Sequence, residues 1–152
     1  MNLDVPRTVV MFEKLYSDAL LPKQPEHSGD ACFDIYSYRE CFLPPQAVTL
    51  VDTGVKVEMP SVPTLLAGLY NHTLVIHPRS GITAREHVFP LDGVIDSGYK
   101  GQLKLMMYNG RQDYYHLPAY IRCAQGMVIL SLKHHLENGK MRGSNGFGST
   151  DD

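Results

Sequence analysis

The apolar stretches of this chain are short, rich in β-forming residues and repeatedly cut by glycine, proline or aspartate, which favours sheet over helix. Val48 to Pro60 (VTLVDTGVKVEMP) alternates at period two around Gly54, with Val55, Val57 and Met59 on one face and Lys56 and Glu58 on the other. That spacing predicts strand, turn, strand. Gly101 to Asn109 sets Leu103 and Leu105 opposite Lys104 and follows a turn-like Ser97-Gly98, so a hairpin is expected near Asp96 to Gly101. AQGMVILSL predicts a buried strand in which Gly126 weakens the strand or marks a close backbone approach, and VVMFEKL predicts a first strand. Only Gly81 to His87 offers helix formers, for barely two turns. Leu65 to Tyr70 is apolar but broken by Gly68 and is expected to belong to an irregular excursion. No period repeats and no linker divides the chain, so the expectation is one all-β domain over residues 1–152, a barrel or distorted sandwich with one short helix.

Bulk properties narrow the function classes. The 152 residues suffice for one real core but are short for two. A formal net charge of −2 without a basic block argues against a DNA or RNA footprint. Cys32, Cys41 and Cys123 are odd in number and widely spaced, suggesting free thiols rather than disulfides or a zinc ribbon. The N-terminus lacks the layout of a signal peptide, and no apolar run approaches the ~20 residues that span a bilayer. A soluble intracellular protein is expected.

Four segments carry candidate chemistry. In HPRSGIT, Arg79, Ser80 and Gly81 stand just before the candidate helix, where amides, a hydroxyl and a guanidinium suit an anion; a turn whose arginine pairs with a surface acid is an equal reading. LDGVIDSGYKGQ packs two acids, three glycines and one tyrosine together. A carboxylate there can take a proton from water, with Asp96 the candidate and Asp92 its competitor, while a turn aspartate capping its own amides is the plain alternative. GDACFDIYS spaces Asp30 and Asp34 four apart, which period two places on one face, within reach of a metal's water shell. Here a loop role for Asp30 is the stronger reading. The C-terminal stretch, residues 137–152, is glycine-rich and polar; it is expected to be a flexible arm able to curl around phosphate, with Arg142 adding charge, or simply a disordered tail.

Taken in order, GDACFDIYS, HPRSGIT, GVIDSGYKGQ, RCAQGMVIL and RGSNGFGST resemble the five ordered motifs of the trimeric dUTPase family, from about residue 28 to the C-terminus. The resemblance implies a jelly-roll-like β-barrel, a homotrimer with shared active sites, and hydrolysis of dUTP to dUMP and pyrophosphate with magnesium. It implies that Gly93, Val94 and Ile95 receive uracil through main-chain hydrogen bonds and that Tyr99 packs on the deoxyribose. Asp96 would deprotonate the water attacking the α-phosphorus. Arg79, Ser80, Gly81 and Gln125 would hold the phosphates, and Lys104 would join the substrate-binding set. Asp34 would touch magnesium through water, the ion being held mainly by the triphosphate. Phe147 would stack on uracil while Arg142, Gly148, Ser149 and Thr150 close over the phosphates.

The pattern has departures. Cys32 stands where the first motif commonly has glycine, Gly126 replaces an apolar residue, Asn145 replaces glycine, and the chain ends on Asp151 and Asp152. The stretch between Pro60 and the second motif, residues 61–74, is longer than the simplest relatives need and is a candidate surface for a protein partner. Two other functions stay open at this point: a dCTP deaminase sharing the fold, and a nucleotide-responsive regulatory protein.

Overall fold

A computed structural model of the chain describes residues 9–137. Ten strands and one helix follow in order: β1 (Met11–Lys14), β2 (Phe33–Tyr36), β3 (Cys41–Leu43), β4 (Val48–Glu58), β5 (Tyr70–His77), α1 (Ser80–Glu86), β6 (Val88–Pro90), β7 (Gly93–Asp96), β8 (Gln102–Asn109), β9 (Tyr115–Leu117) and β10 (Arg122–Leu132). They form two four-stranded sheets, ordered β1-β4-β8-β6 and β2-β10-β5-β7, and a two-stranded ribbon of β3 and β9. Every pairing is antiparallel. The expectation of a sheet protein with one short helix is met.

The two sheets contribute to one apolar cluster: Val51, Val55, Val57, Leu103, Leu105 and Met107 from the first, Ile35, Leu74, Ile76 and Ala124 from the second. Leu103, Leu105 and Met107 are buried as alternate residues of β8, as period two requires, and each such side chain contributes roughly 1.5–3 kcal/mol. Around Gly54, however, the chain does not turn. β4 runs through it as one strand with an irregularity: the five residues Asp52 to Lys56 face only three, Gln102 to Lys104, on β8. Two extra residues preserve side-chain parity, so Val51, Thr53, Val55 and Val57 all stay inside. Gly54 sits at φ +73°, and a Cβ there would come within 2.9 Å of both Ala19 Cβ and Tyr38 Cγ.

Three further expectations change. The segment around Asp96 to Gly101 is not a paired hairpin, because β7 ladders with β5 while β8 ladders with β4 and β6; the chain crosses there from one sheet to the other. The excursion before the second motif is shorter than residues 61–74, since Tyr70 already begins β5, where His72, Thr73 and Leu74 are buried in succession and so give no period-two signal. β10 is buried only in its first half, and Ile129, Leu130 and Leu132 are exposed. Gly126 does mark a close approach: a Cβ would lie 3.0 Å from Leu74 Cδ1 and 3.1 Å from Ile35 Cδ1.

Candidate active site

β10 lies between β2 and β5, and this central place makes Gln125 the register partner of both Asp34 on β2 and His77 on β5. From His77 the chain leaves β5 through Pro78 and Arg79 into α1. Arg79 is still extended, at φ −98° and ψ 131°, and therefore stands beside the β2 and β10 ends rather than within the helix. These three neighbours open a cleft of about 810 Å³, lined among others by Lys23, Asp30, Asp34, Arg79, Arg122 and Gln125.

Inside it, Arg79 Nε donates to Asp34 Oδ1 at 2.7 Å, and Arg122 Nη1 approaches Asp34 Oδ2 at 3.5 Å. Arg79 Nη1 also donates to the carbonyl of Arg122 at 3.3 Å, and Gln125 Nε2 donates to the carbonyl of Pro78 at 2.8 Å. Arg79 does pair with an acid, but the acid comes from another of the singled-out motifs. The pair is 26% and 27% exposed, so its own stabilisation is on the order of 1 kcal/mol. Its larger effect is to aim two guanidinium groups into one half-open space, an arrangement suited to phosphate oxygens. Cys32 also lines the cleft, with its thiol pushed up by burial and hence protonated.

Asp30 precedes β2 and makes a turn contact, its amide donating to the His27 carbonyl at 3.0 Å. It nevertheless lines the same cleft as Asp34. Among the described residues no group of three or more histidine, cysteine or acidic side chains is set to hold a metal ion. Both Asp34 oxygens already face guanidinium groups, so a divalent cation fits this donor set through water and through a ligand's own phosphates.

The other expected residues are elsewhere. Ser80 and Gly81 form the first residues of α1, beside Arg79. Gly93, Val94, Ile95 and Asp96 make up β7, an edge strand whose outer row of backbone groups lacks a sheet partner among the described residues. Asp96 is exposed at its end. Tyr99 closes the following turn, its amide donating to Asp96 O at 3.0 Å and its hydroxyl to Gln102 O at 2.7 Å. Lys104 lies on the other sheet and pairs with Asp52, its register partner, at 3.3 Å. Arg142, Phe147, Gly148, Ser149 and Thr150 lie outside the described residues. Sequence reasoning missed Lys23, Tyr120 and Arg122 as cleft residues. Arg122 had a signal, since it opens RCAQGMVIL itself; Lys23 and Tyr120 had none.

Comparison with known proteins gives the same direction. Residues 20–151 match the dUTPase family. The deoxyuridine 5'-triphosphate nucleotidohydrolase of Clostridioides difficile is 32% identical over 145 residues, covering 91% of this chain and 94% of that protein. That of Clostridium novyi is 30% identical over 148 residues, covering 93% and 97%. Among solved structures, the dUTPase of Staphylococcus bacteriophage 80alpha, bound to dUPNHPP, superposes with a TM-score of 0.76 at 22% identity, covering 94% of this chain and 98% of that one. A mutant dUTPase from phage phi11 of S. aureus, described with a structural Mg(II) ion, superposes with a TM-score of 0.74 at 20% identity, covering 90% and 99%. Identity this low carries the fold alone, but the sequence match spans nearly the whole chain, and the chain belongs to the dUTPase family.

Proposed function

We propose that the protein is a dUTP diphosphatase, hydrolysing dUTP with one water to dUMP and pyrophosphate. The observation that carries this reading is the meeting of Asp34, Arg79 and Gln125, drawn from three separate motifs, in one cleft. Family membership supplies the substrate: both bacterial relatives are named for dUTP.

On this reading Arg79 and Arg122 bind the phosphates, with Ser80, Gly81 and Gln125 beside them. A triphosphate brings more charge than one carboxylate, so it competes for the guanidinium groups that Asp34 now orients. Magnesium, when bound, neutralises charge on the phosphate oxygens. Asp34 and Asp30 offer their carboxylates to its water shell. The free backbone edge of Gly93 to Ile95 provides the donors and acceptors that a uracil edge needs, and Tyr99 packs against the sugar. Asp96 takes the proton from the attacking water as its oxygen bonds to the α-phosphorus and pyrophosphate leaves. Arg142, Phe147, Gly148, Ser149 and Thr150 complete the substrate-binding set from the C-terminal arm.

Asp34 and Asp96 belong to opposite edge strands of one sheet, which favours a site assembled from two protomers of a homotrimer of jelly-roll barrels. Exposed Leu50 and Met106, register partners on the outer face of β4 and β8, are consistent with an assembly that covers apolar surface. Among the described residues no helix is long and apolar enough to cross a membrane.

A second reading has one observation in its favour: Leu65 is 90% exposed in the loop before β5, a surface open to a protein partner. Unchanged partner capture after deletion of residues 61–69 would count against it. The enzymatic reading is tested by incubating the protein with dUTP, dTTP, dCTP and UTP in magnesium buffer. Pyrophosphate release from dUTP alone supports it; ammonia release from dCTP, or no release from dUTP, overturns it.

A further inference from the structure

Tyr120 has a backbone that a tyrosine rarely adopts, at φ +61°, in the turn that leads into β10 and Arg122. A bulky residue in the left-handed region keeps that conformation only when its surroundings enforce it. Two sets of contacts do so. Ser37, buried, donates its hydroxyl to the Pro118 carbonyl and accepts from the Ile121 amide at 3.0 Å, while the Tyr120 amide donates to the Ser37 carbonyl at 2.9 Å. The second set acts on the side chain. The Tyr120 hydroxyl donates to Asp18 Oδ2 at 3.0 Å, and the Tyr38 hydroxyl donates to the other oxygen, Oδ1, at 2.9 Å. The Tyr120 ring meets Tyr38 edge to face at 6.5 Å, and Tyr38 in turn stacks on Tyr16 at 4.6 Å.

This cluster borders the phosphate cleft, because Tyr120 lines both the cleft and the shallower hollow that holds Asp18, Tyr38 and Arg39. Two residues after Tyr120 come the carbonyl that receives Arg79 and the guanidinium that approaches Asp34. Asp18 lies outside the span matched to the dUTPase family, residues 20–151.

We propose that Asp18 is a positioning residue: by holding Tyr120 it fixes the turn before β10, and so places Arg122 and Arg79 for phosphate binding. The role in phosphate binding rests on the reading of the cleft given above; the role in placing Arg79 does not.

The test uses the Arg79 Nε–H signal in nitrogen-15 NMR of the whole protein, together with dUTP hydrolysis. Asp18→Ala is expected to lose the protected Arg79 signal and to lower kcat/KM roughly 10- to 100-fold, as misplaced binding groups do. Adding Tyr120→Gly to Asp18→Ala is expected to restore both, since glycine holds a positive φ without support. An Arg79 signal unchanged in Asp18→Ala, or one not restored in the double variant, overturns the proposal. If Asp18→Ala does not fold, Tyr120→Phe asks the same question by deleting one hydroxyl; an unchanged Arg79 signal there overturns it as well. A wild-type protein inactive on dUTP would sink the enzymatic reading, while the NMR comparison would still decide whether Asp18 places Arg79.

Discussion

Asp34 and Asp96 stand on the two edge strands of one sheet, β2 and β7, with β10 and β5 between them. Three interstrand steps of ~4.8 Å put these edges roughly 14 Å apart, and the register adds a displacement along the strands, since Asp34 is level with His77 and Asp96 with Thr73. On the proposed reading, in which Asp34 serves the metal's water shell at the phosphates and Asp96 the attacking water, this separation favours a site completed by a second copy.

Asp96→Asn should bind nucleotide like the wild type and lose about 10²- to 10⁴-fold in kcat, because an amide oxygen cannot take the proton of the attacking water. Single-turnover kinetics with a parallel binding titration checks this. Wild-type turnover would remove Asp96 from the reaction.

Gly54→Ala should destabilise the fold by roughly 2–4 kcal/mol, combining the cost of a left-handed alanine with the overlap its Cβ makes at 2.9 Å with Ala19 and Tyr38. Denaturant unfolding measures the loss. A change below about 0.5 kcal/mol would mean that β4 relaxes at this irregularity without resistance.

The Asp18 carboxyl is held below its ordinary value of 3.8, first by the Tyr38 hydroxyl and then by that of Tyr120, with Arg39 nearby. A depressed carboxyl contributes stability that is present above pH 3.8 and fades as pH falls through the lower folded value. The advantage of the wild type over Asp18→Asn should therefore be full near neutrality and vanish in strong acid. Acid unfolding followed by circular dichroism reads this directly, and an advantage that persists in strong acid would contradict the sign.

Much of this was legible from local spacing. The buried row of Leu103, Leu105 and Met107 follows period two, and the helix at Ser80 follows its residue preferences within one position of the expected bounds. Pairing was less legible. A turn signal at Ser97-Gly98 says that the chain reverses but not which strands flank it, and β7 and β8 found different partners. At Gly54 the same signal accompanied an irregularity, because two extra residues leave the hydrophobic alternation untouched. Asp34, Arg79 and Gln125, singled out in three of the ordered motifs, line one cleft. Contacts across long sequence separations, such as Tyr120 with Asp18, 102 residues apart, left no local trace.

We propose a dUTP-hydrolysing site built from the cleft of one protomer and the Asp96 strand of another. Mixing two inactive variants, Asp96→Asn and Arg79→Ala, after co-refolding tests it most directly by pyrophosphate release from dUTP. Mixed assemblies should recover a substantial fraction of wild-type activity, because some sites then pair an intact Arg79 with an intact Asp96. A mixture as inactive as its parents, from chains shown to have assembled together, would contradict the shared site.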